Sequence, residues 1–260
     1  MTHDEKRIWL IEQLMAEDDY YSNYDIPTEA IEQKNFLRAL MNVREPNAIS
    51  DEFLKIQDEY ISEENAAEGF VDISELTPAT GNSQLYLWQG DITRLKVDAI
   101  VNAANSQMLG CFQPLHNCID NCIHTKSGIQ LRLKCNQIMK AQGHAEPTGK
   151  AKITPAYNLP CKYVLHTVGP IVSGSLTRKH EDLLASCYRS CLDLAAESGV
   201  ESIAFCCIST GVFMFPNQRA AEIAVATVKD YLREHDGIEK VVFNVFRDMD
   251  LEIYDRLLNQ

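Results

Sequence analysis

LYLWQGDITRLKVDAIVNAAN, residues 85–105, is the stretch that decides the fold. It carries two short runs, LYLW (85–88) and DAIVNAA (98–104), whose β-branched and aromatic content predicts buried strands. Similar runs recur at KYVLHTV (162–168), SIAFCCI (202–208) and KVVFNVF (240–246). The apolar spacing between them predicts helices over roughly 128–142, 180–198 and 216–235. Strands alternating with helices predict an α/β fold, a largely parallel sheet with helices on both faces. In such folds ligands bind beyond the carboxyl ends of the strands, so the loops that follow the strands are where chemistry is to be sought.

Upstream the pattern is different. Residues 1–80 read as a helical N-terminal extension, and 81–260 as the main domain, with LTPATGNSQ (76–84) as connector. Ile8, Ile11 and Met15 recur at helical spacing. A second helix is expected after Pro27 with Thr28 as N-cap and Glu29 in its first turn. A third starts at Ser50 and carries Phe53, Leu54, Tyr60 and Ile61 toward one side. No catalytic motif or ligand cluster lies here, which predicts a helical layer packed on the main domain.

Composition narrows the partners. The 260 residues carry a formal charge of -13. With no basic patch, tracking along a nucleic-acid backbone is not expected. No apolar run reaches the roughly 18 residues of a membrane span. The N-terminus lacks the pattern of a signal peptide, so a cytoplasmic location is expected. Nine cysteines, an odd number between Cys111 and Cys207, suit core packing or metal ligation better than a disulfide framework.

The loops carry the chemistry. Gly90 permits a tight turn, and Asp91 offers an acceptor for an exocyclic amine. Asn102-Ala103-Ala104-Asn105 ends a strand with side chains able to fix a sugar hydroxyl. Ser209-Thr210-Gly211-Val212-Phe213-Met214-Phe215-Pro216 has the small residues of a phosphate-cradling loop. Each of these alone reads equally well as an ordinary turn. Cys111, His116 and Cys118 place two thiols and an imidazole within eight residues, a donor set that suits zinc. Three ligands leave a fourth position open, as in catalytic sites. Closure by Cys122 or His124 would make the site structural, and a loop without metal is the bland alternative. His166, Trp88 and the remaining cysteines (Cys135, Cys161, Cys187, Cys191, Cys206 and Cys207) are expected in the core.

QGDIT, NAAN, KYVLHTVGP and STGVFMFP, in this order and spacing, resemble the macrodomain family, which binds ADP-ribose, over roughly Ser83 to the C-terminus. ITPAYNLPCKYVLHTVGP resembles the family's third strand pair and connecting loop. The resemblance implies a three-layer α/β/α macrodomain. In it Asp91 would hold the adenine amine with the Ile92 N–H nearby, and Asn105 the distal ribose. Ser209, Thr210, Gly211, Val212 and Phe213 would wrap the diphosphate and distal ribose. Met214 stands where the family commonly has glycine.

One loop departs from the family. Hydrolytic macrodomains usually carry a glycine-rich run ending in Val-Asp-Gly-Ala-Ile-His. Here Ile119-Asp120-Asn121-Cys122-Ile123-His124 lines up with that ending, and the glycines give way to an insertion holding Cys111, His116 and Cys118. This resembles a microbial subgroup with a zinc ion in the active site and a helical extension, which removes ADP-ribose from proteins. The resemblance implies a Zn2+-dependent protein-ADP-ribose hydrolase. Cys118, Ile119, Asp120 and Asn121 would join the ADP-ribose contacts. Asp120 would orient a water or act as general base, and Asn105 would hold the ribose hydroxyls. The substrate would be a protein bearing mono-ADP-ribose on an acidic side chain as an ester. Two rivals use the same pocket: a non-catalytic ADP-ribose reader, and a deacetylase of O-acetyl-ADP-ribose.

Overall fold

Capping chemistry sets where the first helices begin. In the computed structural model, which describes residues 1–259, helix α1 (His3–Met15) opens on a capping box between Thr2 and Glu5. Helix α2 (Ala30–Val43) begins later than Thr28 would have it: its N-cap is Glu29, whose side chain makes no capping bond. Helix α3 (Asp51–Glu68) starts as expected, Ser50 Oγ accepting from the Phe53 N–H at 3.1 Å. The three helices share a core of their own, including Leu10, Ile11, Leu14, Leu37, Leu40, Phe53, Ile56, Tyr60 and Ile61. On α1 the buried stripe is Leu10, Ile11 and Leu14, with Ile8 and Met15 only half-buried. The stems of Lys6 and Arg7 fill the rest of that face, Arg7 donating twice to Gln33 Oε1.

The chain then builds a sheet. Strands β1 (Val71–Asp72) and β4 (Leu95–Lys96) form a small parallel pair. The main sheet comprises β2 (Pro78–Ala79), β3 (Asn82–Gln89), β5 (Ala99–Ala104), β6 (Ala151–Pro155), β7 (Tyr163–Val168), β8 (Ser202–Phe205) and β9 (Lys240–Val245). Its order is β2-β3-β9-β8-β5-β7-β6. The five inner strands are parallel and the two edges antiparallel. Helices α4 (Ile119–Ser127) and α5 (Ile129–Gln142) pack together as one layer, and α6 (Arg178–Glu197), α7 (Asn217–Glu234) and α8 (Asp248–Asn259) side by side as the other. The expected α/β architecture with a mostly parallel sheet and an N-terminal set of helices is what the chain adopts.

Differences are local. SIAFCCI leaves the sheet after Phe205, because Cys206, Cys207 and Ile208 already turn toward the loop that follows. The expected helix at 128–142 is preceded by α4, and α8 is an element that the apolar spacing did not predict. The N-terminal helices rest on α4, and Ile129, the first residue of α5, is buried in their core. Among the described residues no helix is long and apolar enough to cross a membrane.

Gly128 is the hinge between α4 and α5. Its φ of 97° and ψ of 168° lie in a region essentially reserved for glycine. A Cβ there would come within 2.5 Å of Gln130 Oε1 and 2.8 Å of Gln57 Nε2. Gln57, on α3, accepts from the Ile129 N–H (3.0 Å) and donates to Gln130 (2.7 Å), so the extension caps α5. Gly128→Ala is therefore expected to destabilise the fold by about 1–3 kcal/mol from the backbone alone. Chemical denaturation checks this, and an unchanged midpoint would overturn it.

Candidate active site

The carboxyl ends of β3, β5, β7, β8 and β9 open on one cleft of about 1480 Å³. Its wall includes Gly90 and Asp91 after β3, Asn105 after β5, Gly169 after β7, Ser209 to Phe213 after β8, and Phe246 and Arg247 after β9. The cleft also takes in the whole 110–120 segment. The loops singled out in the sequence thus meet in space.

Each wall has its own construction. Asp91 caps a short 3-10 turn, its Oδ1 accepting from Thr93 N (3.0 Å) and Thr93 Oγ1 (2.7 Å). Among the described residues Oδ2 has no hydrogen-bond partner. Ile92 is 1% exposed, so only its main chain can meet a ligand. Opposite, the loop after β8 closes on itself through Phe215 N to Ser209 O (3.0 Å) and Met214 N to Gly211 O (3.0 Å). Ser209 and Met214 both have positive φ, 66° and 57°. The N–H groups of Gly211, Val212 and Phe213 make no hydrogen bond among the described residues, and so present an anion with three donors. Gly169 is required behind them: a Cβ would lie 2.0 Å from Ser209 Oγ. Phe246, 77% exposed at the rim, offers an open aromatic face.

The insertion brings its three predicted metal ligands together. One ligand atom each from Cys111, His116 and Cys118 lies within 4.8 Å of the other two, all half-buried. Cys118 is the N-cap of α4, its Sγ accepting from Asn121 N at 3.4 Å. Burial pushes its thiol up to about 12, opposed by that hydrogen bond. Without a metal the thiol stays protonated at neutral pH, and binding must displace the proton. Two sulfurs and a nitrogen with room to converge fit a tetrahedral zinc ion with one position left over.

Beneath them lies a buried polar cluster. Asp120, 5% exposed, accepts from Asn102 Nδ2 (2.8 Å) at Oδ1 and from Asn105 Nδ2 (3.3 Å) at Oδ2. Burial raises its carboxyl to about 6, against the pull of Asn102, Arg132 and Asn105. Burial, with His166 and Arg132 nearby, holds His124 well below its ordinary value. It is therefore neutral, and the 3.6 Å approach of its Nε2 to Asp120 Oδ1 is not an ion pair. His166 is a core residue as expected, its Nε2 3.0 Å from Thr154 Oγ1 and 3.9 Å from Cys135 Sγ.

Two of the residues expected at the ligand are also held by the protein itself. Asn105 sits at the cleft, but its amide is engaged by Gly110 O (3.0 Å) and Asp120, and its Oδ1 by Gln107 N (3.0 Å). It positions Asp120 before it touches anything else. Asn121 is 0% exposed and lies behind the cleft, its amide donating to Cys111 O (3.3 Å) and Gln113 O (3.0 Å). Its side chain shapes the insertion. Phe246, Arg247, Asn244 and Asp250 line the cleft although no motif marked them. For Phe246 and Arg247 the place directly after a strand was the available signal.

Known proteins share the sequence and the fold of this chain. A model of the Macro domain matches residues 101–224. A protein from Treponema medium named protein-ADP-ribose hydrolase is 60% identical over the full length of both chains. One of the same name from Staphylococcus aureus (strain MRSA252) is 54% identical over 224 residues, 86% of this chain and 84% of the relative. The solved structure of a Trypanosoma brucei macrodomain in complex with ADP-ribose matches with a TM-score of 0.67 at 30% identity. It covers 84% of this chain and 94% of that one.

The raised carboxyl of Asp120 has a measurable consequence. A folded value near 6 against 3.8 unfolded means that the folded state holds this proton more tightly. Asp120 thus favours folding fully below pH 3.8, and that contribution is lost as pH rises to about 6. The stability of Asp120→Asn relative to the parent, both metal-free, is expected to grow by about 2 kcal/mol between pH 4 and 7.5. Denaturant titrations at the two pH values read this difference; a pH-independent difference would sink the assignment.

Proposed function

The chain belongs to the Macro domain family, and we propose that it hydrolyses mono-ADP-ribose from modified protein side chains with a zinc ion held by Cys111, His116 and Cys118. The observation that carries the proposal is the convergence of three soft donors, ligand atoms within 4.8 Å, on the cleft that Asp91 and the 209–213 loop also line. The hydrolase names of the curated relatives favour turnover over mere binding.

The residues divide the work. Asp91 Oδ2 accepts the adenine amine, and the exposed Phe246 ring offers the base a stacking face. The free N–H groups of Gly211, Val212 and Phe213 hold the diphosphate. This remote binding places the distal ribose against the 110–120 segment. When bound, zinc would supply Lewis acidity to an oxygen of the ribose or of the bond being broken. Asp120, ionised above about pH 6, accepts a proton from the attacking water as general base. Asn102 and Asn105 keep its carboxylate oriented for that transfer. The linkage we assign is an ester to an acidic side chain, with free ADP-ribose and the restored carboxylate as products. All nine cysteines are free thiols, which suits the reducing cytoplasm that we propose as the compartment.

Release of ADP-ribose from an ester-modified protein, with and without chelator, tests the reading. We expect chelation to stop release and added zinc to restore it, while full release in chelator would refute zinc dependence. Cys118→Ala is expected to purify folded and without metal; full zinc stoichiometry in that variant would overturn the ligand set. Asp91→Ala should weaken ADP-ribose binding by roughly 1.5–3 kcal/mol, the worth of a hydrogen bond to a charged group. Asp91→Asn, which can still cap the turn, should show most of the same loss in calorimetry. Unchanged affinity in both would remove Asp91 from the adenine site.

A further inference from the structure

Residues 105–118 contain neither helix nor strand, and Leu115 within them has a φ of 58°. Such a segment does not hold three ligands in place by itself. Its main chain is instead tied down at several points, and the two nearest His116 come from the N-terminal extension. Arg38 on α2 donates through Nη2 to His116 O (2.8 Å), Asn117 Oδ1 (3.3 Å) and Asn121 Oδ1 (3.1 Å). Asn42, one turn on and 2% exposed, accepts from Leu115 N (3.0 Å) and donates to Thr125 Oγ1 (3.1 Å) on α4. The buried Asn121, which Arg38 orients, donates to the carbonyl of Cys111. The main chains at Cys111 and His116, and the side chain of Asn117 beside Cys118, are thus bonded into one network running back to α2.

We propose that Arg38 and Asn42 are positioning residues, through which the N-terminal extension holds the Cys111–Cys118 loop ready for its metal. The proposal rests on the zinc reading given above. Neither residue touches the ligand atoms; both act on the backbone that carries them. Partners that orient metal ligands in this way affect metal affinity by about 10–100-fold. Arg38 spans three acceptors with one planar guanidinium, which a lysine ammonium reproduces only in part.

The full-length chain is compared with Arg38→Ala, Arg38→Lys, Asn42→Ala and a control, Lys6→Ala. Lys6 lies in the same extension but pairs with Glu59 and Glu63, away from the loop. Zinc affinity is read by competition with a chromophoric chelator. Amide exchange of residues 111–118 is read in the metal-free protein, and kcat and KM on the modified protein. Arg38→Ala and Asn42→Ala should weaken zinc by about 10–100-fold and speed loop exchange. At saturating zinc they should lower kcat while KM stays put. Arg38→Lys should recover part of each loss, and Lys6→Ala should leave all of them at parental values. Unchanged zinc affinity and loop exchange in Arg38→Ala would overturn the proposal. So would equal loop exchange in Lys6→Ala, which would mean only general loosening. A parent that binds no zinc would refute the zinc reading, while the metal-free exchange would still judge Arg38.

Discussion

A guanidinium buried where three parts of the chain meet governs the site. Arg132, on α5 and 5% exposed, donates through Nη1 to the carbonyls of Met41, Asn42 and Arg44 at the end of α2. Its Nε donates to Leu109 O (2.6 Å), just ahead of the metal loop, and its plane lies 4.1 Å from the Phe112 ring centre. Burial lowers its value to about 10, yet it stays charged at neutral pH. The last carbonyls of a helix are the negative end of its dipole, so one cation satisfies α2, fixes the entry to the loop and lends its charge to Asp120. An Arg serves here because its several donors are rigidly splayed.

The centre of the molecule carries the opposite of what stability alone would select. Asp120 sits in a water-poor pocket, with neutral His124 and His166 beside it. Among the described residues both ring nitrogens of His124, and Asn102 Oδ1, are buried without a partner. Unpaired buried polar atoms oppose folding. The surrounding apolar core, from Ile100 and Val101 to Leu165 and Ile203, is packed well enough to hold them. Perturbed carboxyls in clefts concentrate where chemistry is done, and here the perturbation comes from the fold and needs no ligand.

The strands were readable because their side chains face apolar layers on both sides of the sheet. KYVLHTV and KVVFNVF match β7 and β9 almost residue for residue. SIAFCCI kept its apolar character past the strand's end, since Cys206 and Ile208 stay buried while the backbone turns away. The Cys111, His116 and Cys118 triad was visible because its spacing is local. Arg38, Asn42 and Arg132 were not, because their roles depend on partners about 70 to 90 residues distant. The bonds of Asn121 to the insertion were hidden for a related reason: alignment with a family motif places a residue in sequence, but burial decides which way its side chain faces.

The network around the insertion grips its backbone. Arg38 takes the carbonyl of His116, Asn42 the amide of Leu115, Asn121 the carbonyls of Cys111 and Gln113, and Arg132 the carbonyl of Leu109. A grip of that kind is blind to what each residue bears beyond its Cα. Gln113, Pro114 and Leu115 are exposed, so substitutions there could alter the cleft's lip while the ligand frame keeps its shape. The network thereby leaves the side chains nearest an incoming substrate outside the frame that holds the centre.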